Sequence, residues 1–140
     1  MTRFASIVLV DARGWVLLQE RDELPAIDPE KWGFCGGHLE PGEDYATGAY
    51  RELAEETGIH LDGGLQLFEE FGVLHEHHSH DRFQLFVMRV DLTDDDVECH
   101  EGRRILFVDP AQALALDLTA AARIALPVFL RSETYARLAP

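Results

Sequence analysis

The stretch from Asp44 to Thr57 constrains the fold of this 140-residue chain more than any other, because it reads as one helix with two incompatible faces. Ala46, Tyr50, Leu53 and Thr57 recur at helical spacing and form an apolar stripe, and Gly58 stands where such a helix ends. At about 100° per residue, Glu52, Glu55 and Glu56 project from one face, opposite that stripe. The stripe requires a core layer to lie against. The carboxylates, at three- and four-residue spacing, repel one another by a few tenths of a kcal/mol per pair and require compensation. Hard oxygen donors without histidine or thiolate among them suit Mg²⁺ or Mn²⁺, which complete an octahedron with water and phosphate oxygens. The cluster therefore suggests a divalent cation bridging to a polyphosphate; a solvated acidic face is the alternative that spacing alone leaves open. Gly48 and Ala49, one turn upstream, are small, which suggests clearance for metal and phosphate, so Gly48→Leu is expected to impair turnover without unfolding the protein.

The flanking sequence is mostly strand-like. Phe4 to Val10 is rich in β-branched residues, Asp11-Ala12-Arg13-Gly14 is a turn signal, and Trp15 to Glu20 follows as the second arm of a hairpin. Pro25 and Pro29 make a loop of residues 22–30, and a short strand at Trp32 to Cys35 leads to Gly36-Gly37. Strands are also expected at Leu65 to Leu74, Phe83 to Leu92 and Arg104 to Val108. Asp109-Pro110 opens a short helix to about Leu116, and Thr119 caps a C-terminal helix that Pro127 should kink or interrupt. Strands mixed with about three helices, without a regular βαβ repeat, favour an α/β sandwich over a doubly wound sheet. One domain over residues 1–140 is the expectation.

A formal charge of −14 argues against a nucleic-acid polymer as partner, since no Lys/Arg cluster offers a basic face. The longest uncharged apolar run, Ile124 to Leu130, is far short of the roughly 20 residues of a membrane span. The N-terminus lacks the apolar run and cleavage site of a secretory signal. Cys35 and Cys99 have neither metal-ligand spacing nor the density of a disulfide scaffold. A reduced cytoplasmic protein is expected, with Cys35 a small buried apolar residue.

The stretch from Gly37 to Ile59 resembles the signature of the Nudix hydrolases, G-x5-E-x7-R-E-U-x-E-E-x-G-U with U aliphatic. Gly37, Glu43, Arg51, Glu52, Leu53, Glu55, Glu56, Gly58 and Ile59 fill it without gap or substitution. A looser resemblance extends through Leu18 to Asp22 and Trp32-Gly33-Phe34 to Glu101-Gly102-Arg103. The resemblance implies an α/β/α sandwich around a mixed β-sheet. It also implies Mg²⁺-dependent hydrolysis, with Mn²⁺ a possible substitute, of a nucleoside diphosphate linked to another moiety. By the same resemblance Glu52, Glu55 and Glu56 would ligate the metal, the Gly37 carbonyl could join them, and Arg51 would orient the glutamates through Glu43 or Glu55. A nucleoside triphosphate pyrophosphatase that sanitises oxidised or non-standard nucleotides is the alternative within this class. A non-catalytic nucleotide-binding module is the alternative outside it. A homodimer is a possibility by family analogy.

Many such enzymes draw one more glutamate from a loop before the last sheet strand. Here Glu101 is the first choice as ligand or general base and Glu98 the second. His38, directly after Gly37, is within reach of the phosphates by position. Trp32, Phe34 and Phe83 offer aromatic faces on which a base could stack, although aromatics beside strands are commonly core. His75-Glu76-His77-His78-Ser79-His80 reads as a polar hairpin connection, with a substrate-contacting loop or a metal site as alternatives.

Overall fold

A computed structural model describes residues 2–25, 27–74 and 80–140. Seven strands form one mixed sheet: β1 (Thr2–Val10), β2 (Val16–Glu20), β3 (Trp32–Gly33), β4 (Cys35–His38), β5 (Gln66–Leu74), β6 (His80–Arg89) and β7 (Arg104–Val108). β1 and β6 run parallel along their whole length, from Thr2 opposite Asp81 to Val10 opposite Arg89, and the other pairings are antiparallel. The helices are α1 (Tyr45–Thr57), α2 (Pro110–Ala115), α3 (Ala120–Leu130) and α4 (Glu133–Leu138).

Strand alternation sorts the core into two layers. Ala5, Ile7 and Leu9 of β1, Phe86 of β6, and Ile105 and Phe107 of β7 pack on one face with Ala49 and Leu53 of α1. Val8 and Val10, Phe83, Leu85 and Val87, and Val108 pack on the other with Ala122, Ala125, Leu126 and Phe129 of α3. This is an α/β/α sandwich, as the sequence implies. The first turn is built as expected: the Asp11 carboxylate accepts from the Arg13 amide at 2.8 Å and the Trp15 amide at 3.0 Å.

Four features differ from the sequence reading. The segment Trp32 to Cys35 is two short strands, because β3 pairs with β2 while β4 pairs with β1, leaving Phe34 at the fork. α3 runs through Pro127 to Leu130, because buried residues anchor it on both sides and the carbonyl that loses its partner belongs to exposed Arg123. A fourth helix, α4, follows, with the Ser132 hydroxyl accepting from the Tyr135 amide at 3.1 Å. Finally, the buried stripe of α1 comprises Ala49, Leu53, Glu56 and Thr57, whereas Ala46 is exposed. The helix is thus rotated so that Glu56, 2% exposed, sits at the edge of the sheet instead of opposite the apolar face.

Candidate active site

A cleft opens at the fork between β3 and β4. One lobe, of about 470 Å³, is lined by Phe34, Gly37, His38, Glu52, Glu55 and Glu101 among others. A second, of about 380 Å³, is lined by Gln19, Arg21, Leu24, Phe34, Glu56 and Glu101 among others. Arg21, Phe34, Gly36 and Glu101 border both. Among the described residues, Arg21 is the one cationic side chain in either lining.

α1 presents its carboxylates to this cleft because both of its ends are fixed. Asp44 caps the start, accepting from the Thr47 amide at 2.8 Å, and Gly58 at φ 75° ends it, donating to the Ala54 carbonyl at 2.9 Å. Arg51 organises the helix surface. Its Nε and Nη2 donate to the two oxygens of Glu43 at 2.7 and 2.8 Å, its Nη1 to Glu52 at 2.9 Å and to Glu55 at 3.2 Å, and Nη2 also to the His38 carbonyl at 3.2 Å. The two-pronged hydrogen bond from Arg51, with help from the Glu40 amide, holds the Glu43 carboxyl down at about 2.

The inner carboxylates behave in the opposite way. Burial pushes Glu56 up to about 9, against the 2.8 Å hydrogen bond it accepts from the Gly36 amide and with Glu101 and Glu52 adding to the rise. Burial also raises Glu52, while Arg51 opposes the rise. Gly37 passes so close to Glu52 that a Cβ there would lie 2.6 Å from its carboxylate. A larger residue there would push the Glu52 carboxylate aside.

These residues suit a hard divalent cation by chemistry: all donors are oxygens, they crowd one side of a strand, and burial penalises their charge. In the geometry seen, Glu52 and Glu55 turn toward Arg51, and among the described residues no three Asp, Glu, His or Cys side chains already converge on one point. A cation would compete with Arg51 for those two side chains.

Glu101 lies in the cleft and faces Glu52 and Glu56. Glu98 does not line either lobe; its carboxylate lies 3.5 Å from the His100 ring nitrogen Nε2. Phe34 and His38 line the cleft, and the His38 ring meets Phe4 edge-on at 6.1 Å. Trp32 does not reach it. Its ring, 9% exposed, belongs to the core on the α3 side with the Arg104 guanidinium 5.2 Å from its centroid, which leaves no face for a base. Phe83 is fully buried, stacked on Phe4 at 4.9 Å and Phe71 at 5.3 Å, and is likewise unavailable. Cys35 is buried and Cys99 exposed, both as thiols. The Gly48 expectation is also overturned: a Cβ there would meet Leu39 at 2.6 Å and Glu43 at 3.0 Å, so the missing side chain makes room for the preceding loop, not for phosphate. His75 to Ser79 lie outside the described residues.

Sequence reasoning placed Gln19 and Arg21 within the looser resemblance without giving either a role, and gave none to His100. Arg21 follows the last residue of β2 and could have been noticed as a lone cation between motif segments. Gln19 and His100 act on backbone carbonyls, which leave no pattern in the sequence.

The family model described as NUDIX domain matches residues 2–129. The chain belongs to the NUDIX domain family. The Nudix domain here is 39% identical over 59 residues to the m7GpppN-mRNA hydrolase NUDT17 of Bos taurus, covering 42% of this chain and 20% of that protein. It is 43% identical over 58 residues to the RNA pyrophosphohydrolase of Dinoroseobacter shibae, covering 40% of this chain and 33% of that one. The matched region thus spans between 20% and 33% of these two relatives. In structure it superposes on a mutT/nudix family protein from Listeria innocua with a TM-score of 0.78, at 20% identity, over 98% of this chain and 96% of that one. That likeness is one of fold.

Proposed function

We propose that the chain is a Mg²⁺-dependent Nudix hydrolase that cleaves the pyrophosphate bond of a nucleoside diphosphate linked to another moiety, releasing a nucleoside monophosphate and a phosphorylated partner. The observation that carries this reading is the gathering of Glu52, Glu56 and Glu101 beside the Gly36-Gly37 strand in a cleft bordered by Arg21. The lobe holding Glu52, of about 470 Å³, falls in the usual range for small-molecule sites.

Glu52, Glu55 and Glu56, with the Gly37 carbonyl, are the groups that would hold the cation. When bound, Mg²⁺ neutralises pyrophosphate charge and lowers the pKa of a bound water. Arg51 fixes the carriage of Glu52 and Glu55, so that their oxygens are presented from one side of α1. Glu101, exposed at the junction of the two lobes, accepts the proton of the attacking water on a carboxylate oxygen. The water oxygen bonds to phosphorus as the bridging P–O bond breaks, and the leaving phosphate departs as a dianion. Arg21, which borders both lobes, meets phosphate oxygens, and Phe34 and His38 contact the remainder of the substrate.

The test is an assay of purified protein with Mg²⁺ or Mn²⁺ against a nucleoside diphosphate sugar, a dinucleoside polyphosphate and nucleoside triphosphates, with products separated by chromatography. Cation-dependent release of nucleoside monophosphate plus a phosphorylated partner supports the reading. Preferential release of inorganic pyrophosphate from a triphosphate favours the sanitising pyrophosphatase, and nucleotide binding without turnover favours the non-catalytic module.

A further inference from the structure

The segment from Val97 to Arg103 runs as a bridge between the end of α1 and the end of β2, with Glu101 near its middle. On the α1 side it satisfies carbonyls that a helix leaves without partners. The Glu98 amide donates to the Thr57 carbonyl at 3.0 Å, the His100 amide to the Glu56 carbonyl at 2.8 Å, and the His100 ring nitrogen Nδ1 meets the Glu55 carbonyl at 2.8 Å. A carbonyl only accepts, so Nδ1 carries the hydrogen in this contact. On the β2 side the Arg103 amide donates to the Glu20 carbonyl at 2.8 Å, and the Gln19 amide Nε2 to the Glu101 carbonyl at 2.9 Å.

The imidazole reaches the last turn of α1 through the Glu55 carbonyl, beside the contact that the Glu101 carboxyl makes with Glu56. The ring is half-exposed, so water could satisfy the Glu55 carbonyl in its place and the bond adds little to global stability. What the bond adds is location. It ties the residue next to Glu101 to the turn that carries Glu55 and Glu56. We propose that His100 is a positioning residue, which holds the Glu101 carboxylate in register with the α1 glutamates by locking the bridge to the last turn of the helix. This rests on the role given to Glu101 above.

Two substitutions separate geometry from mere polarity. In His100→Asn the amide Nδ2–H stands where the imidazole Nδ1–H stood, one bond beyond Cγ. His100→Gln places its amide one bond farther out, in the position of Nε2. The account expects His100→Ala to lower kcat for the cation-dependent pyrophosphohydrolase reaction about tenfold, with KM changed less than about twofold, as outer groups that orient reacting groups do. Hydrogen exchange of the amides in residues 97–103 should quicken about tenfold in the same variant. Asn should restore both, Gln neither. In a Glu101→Gln background, His100→Ala should cost nothing further, because the group it positions is already disabled.

The proposal is overturned if His100→Ala leaves kcat or the exchange of residues 97–103 unchanged, if Gln restores as well as Asn, or if its loss multiplies with that of Glu101→Gln. Should Glu101→Gln itself keep full activity, the role given to Glu101 falls, and this inference with it. A deficient Glu101→Gln with multiplying losses sinks this inference alone.

Discussion

At the scale of single residues, Glu43 and Glu56 show how one sequence window produces opposite electrostatics. Both are acidic positions of the same motif. Glu43 faces the Arg51 fork and is held at about 2, while Glu56 faces the sheet and is pushed up to about 9 by burial. Because the folded value of Glu43 lies below its ordinary one, its ion pair with Arg51 contributes stability that is fully present above about pH 4.5 and is lost as pH falls toward about 2. Urea midpoints of the wild type and Glu43→Gln should therefore differ by a constant amount at neutral pH and converge between those limits. A difference that does not shrink on acidification would contradict the assignment. The residues of the motif were legible in the sequence because their chemistry is carried by side chains at fixed spacing. Trp32 and Phe83 were not, because an aromatic ring beside a strand reads the same whether it faces a cleft or the core, and only pairing tells which face is covered.

At the scale of elements, the existence and limits of α1 were legible from Asp44 and Gly58, but its rotation was not. A stripe through Ala46 and Tyr50 and one through Ala49 and Leu53 are adjacent on a helix, and the second wins because it meets Ile7, Leu9 and Phe107 of the sheet. Glu56 follows that stripe into the sheet edge, so a carboxylate expected opposite the apolar stripe is the most buried of the cluster. The split of one expected strand into β3 and β4 was also invisible, since both pieces have strand composition and only their different partners separate them. Rotation also fixes the consequence of filling Gly48. A leucine there would collide with Leu39 and Glu43, so the variant should lose roughly 1–3 kcal/mol of stability, the range for overpacking a tight site. Thermal unfolding checks this, and an unchanged melting temperature would show that the loop yields.

At the scale of the whole molecule, the sheet separates two cores with different duties. The core that includes α1 carries the glutamates; the core beneath α3 carries no candidate ligand. Phe129, fully buried and edge-on to Phe68 at 5.2 Å, belongs to the second. Phe129→Ala should cost about 3–5 kcal/mol of stability, yet leave kcat per folded molecule near the wild-type value at low temperature. Denaturant titration beside active-site-normalised kinetics separates the two effects. The sandwich was legible from the order of strands and helices and from the family resemblance, but the two layers were not, since β1 is apolar on both faces and does not alternate; α4 lacked a long enough periodic pattern to stand out.

The charge of the molecule also resolves at this scale. Residues 37–59 hold six acidic residues and one basic, and residues 91–101 hold six acidic and none basic. The hydrogen bonds from Glu98 and His100 to the end of α1 bring these two windows side by side, and Glu52, Glu55, Glu56 and Glu101 from them line the cleft, while Asp94 and Asp95 border a separate pocket. Such a field draws cations toward the site at which an anionic substrate requires them. The most direct test is a Mn²⁺ titration read by electron paramagnetic resonance, run beside turnover of a nucleoside diphosphate derivative, for the wild type and Glu56→Gln. Glutamine keeps an acceptor for the Gly36 amide but has no carboxyl proton to release to become a charged ligand when a cation binds. The account predicts bound Mn²⁺ in the wild type, binding weakened at least about tenfold in the variant, and kcat lowered about 100-fold or more. Equal Mn²⁺ binding and equal turnover in the two proteins would contradict it.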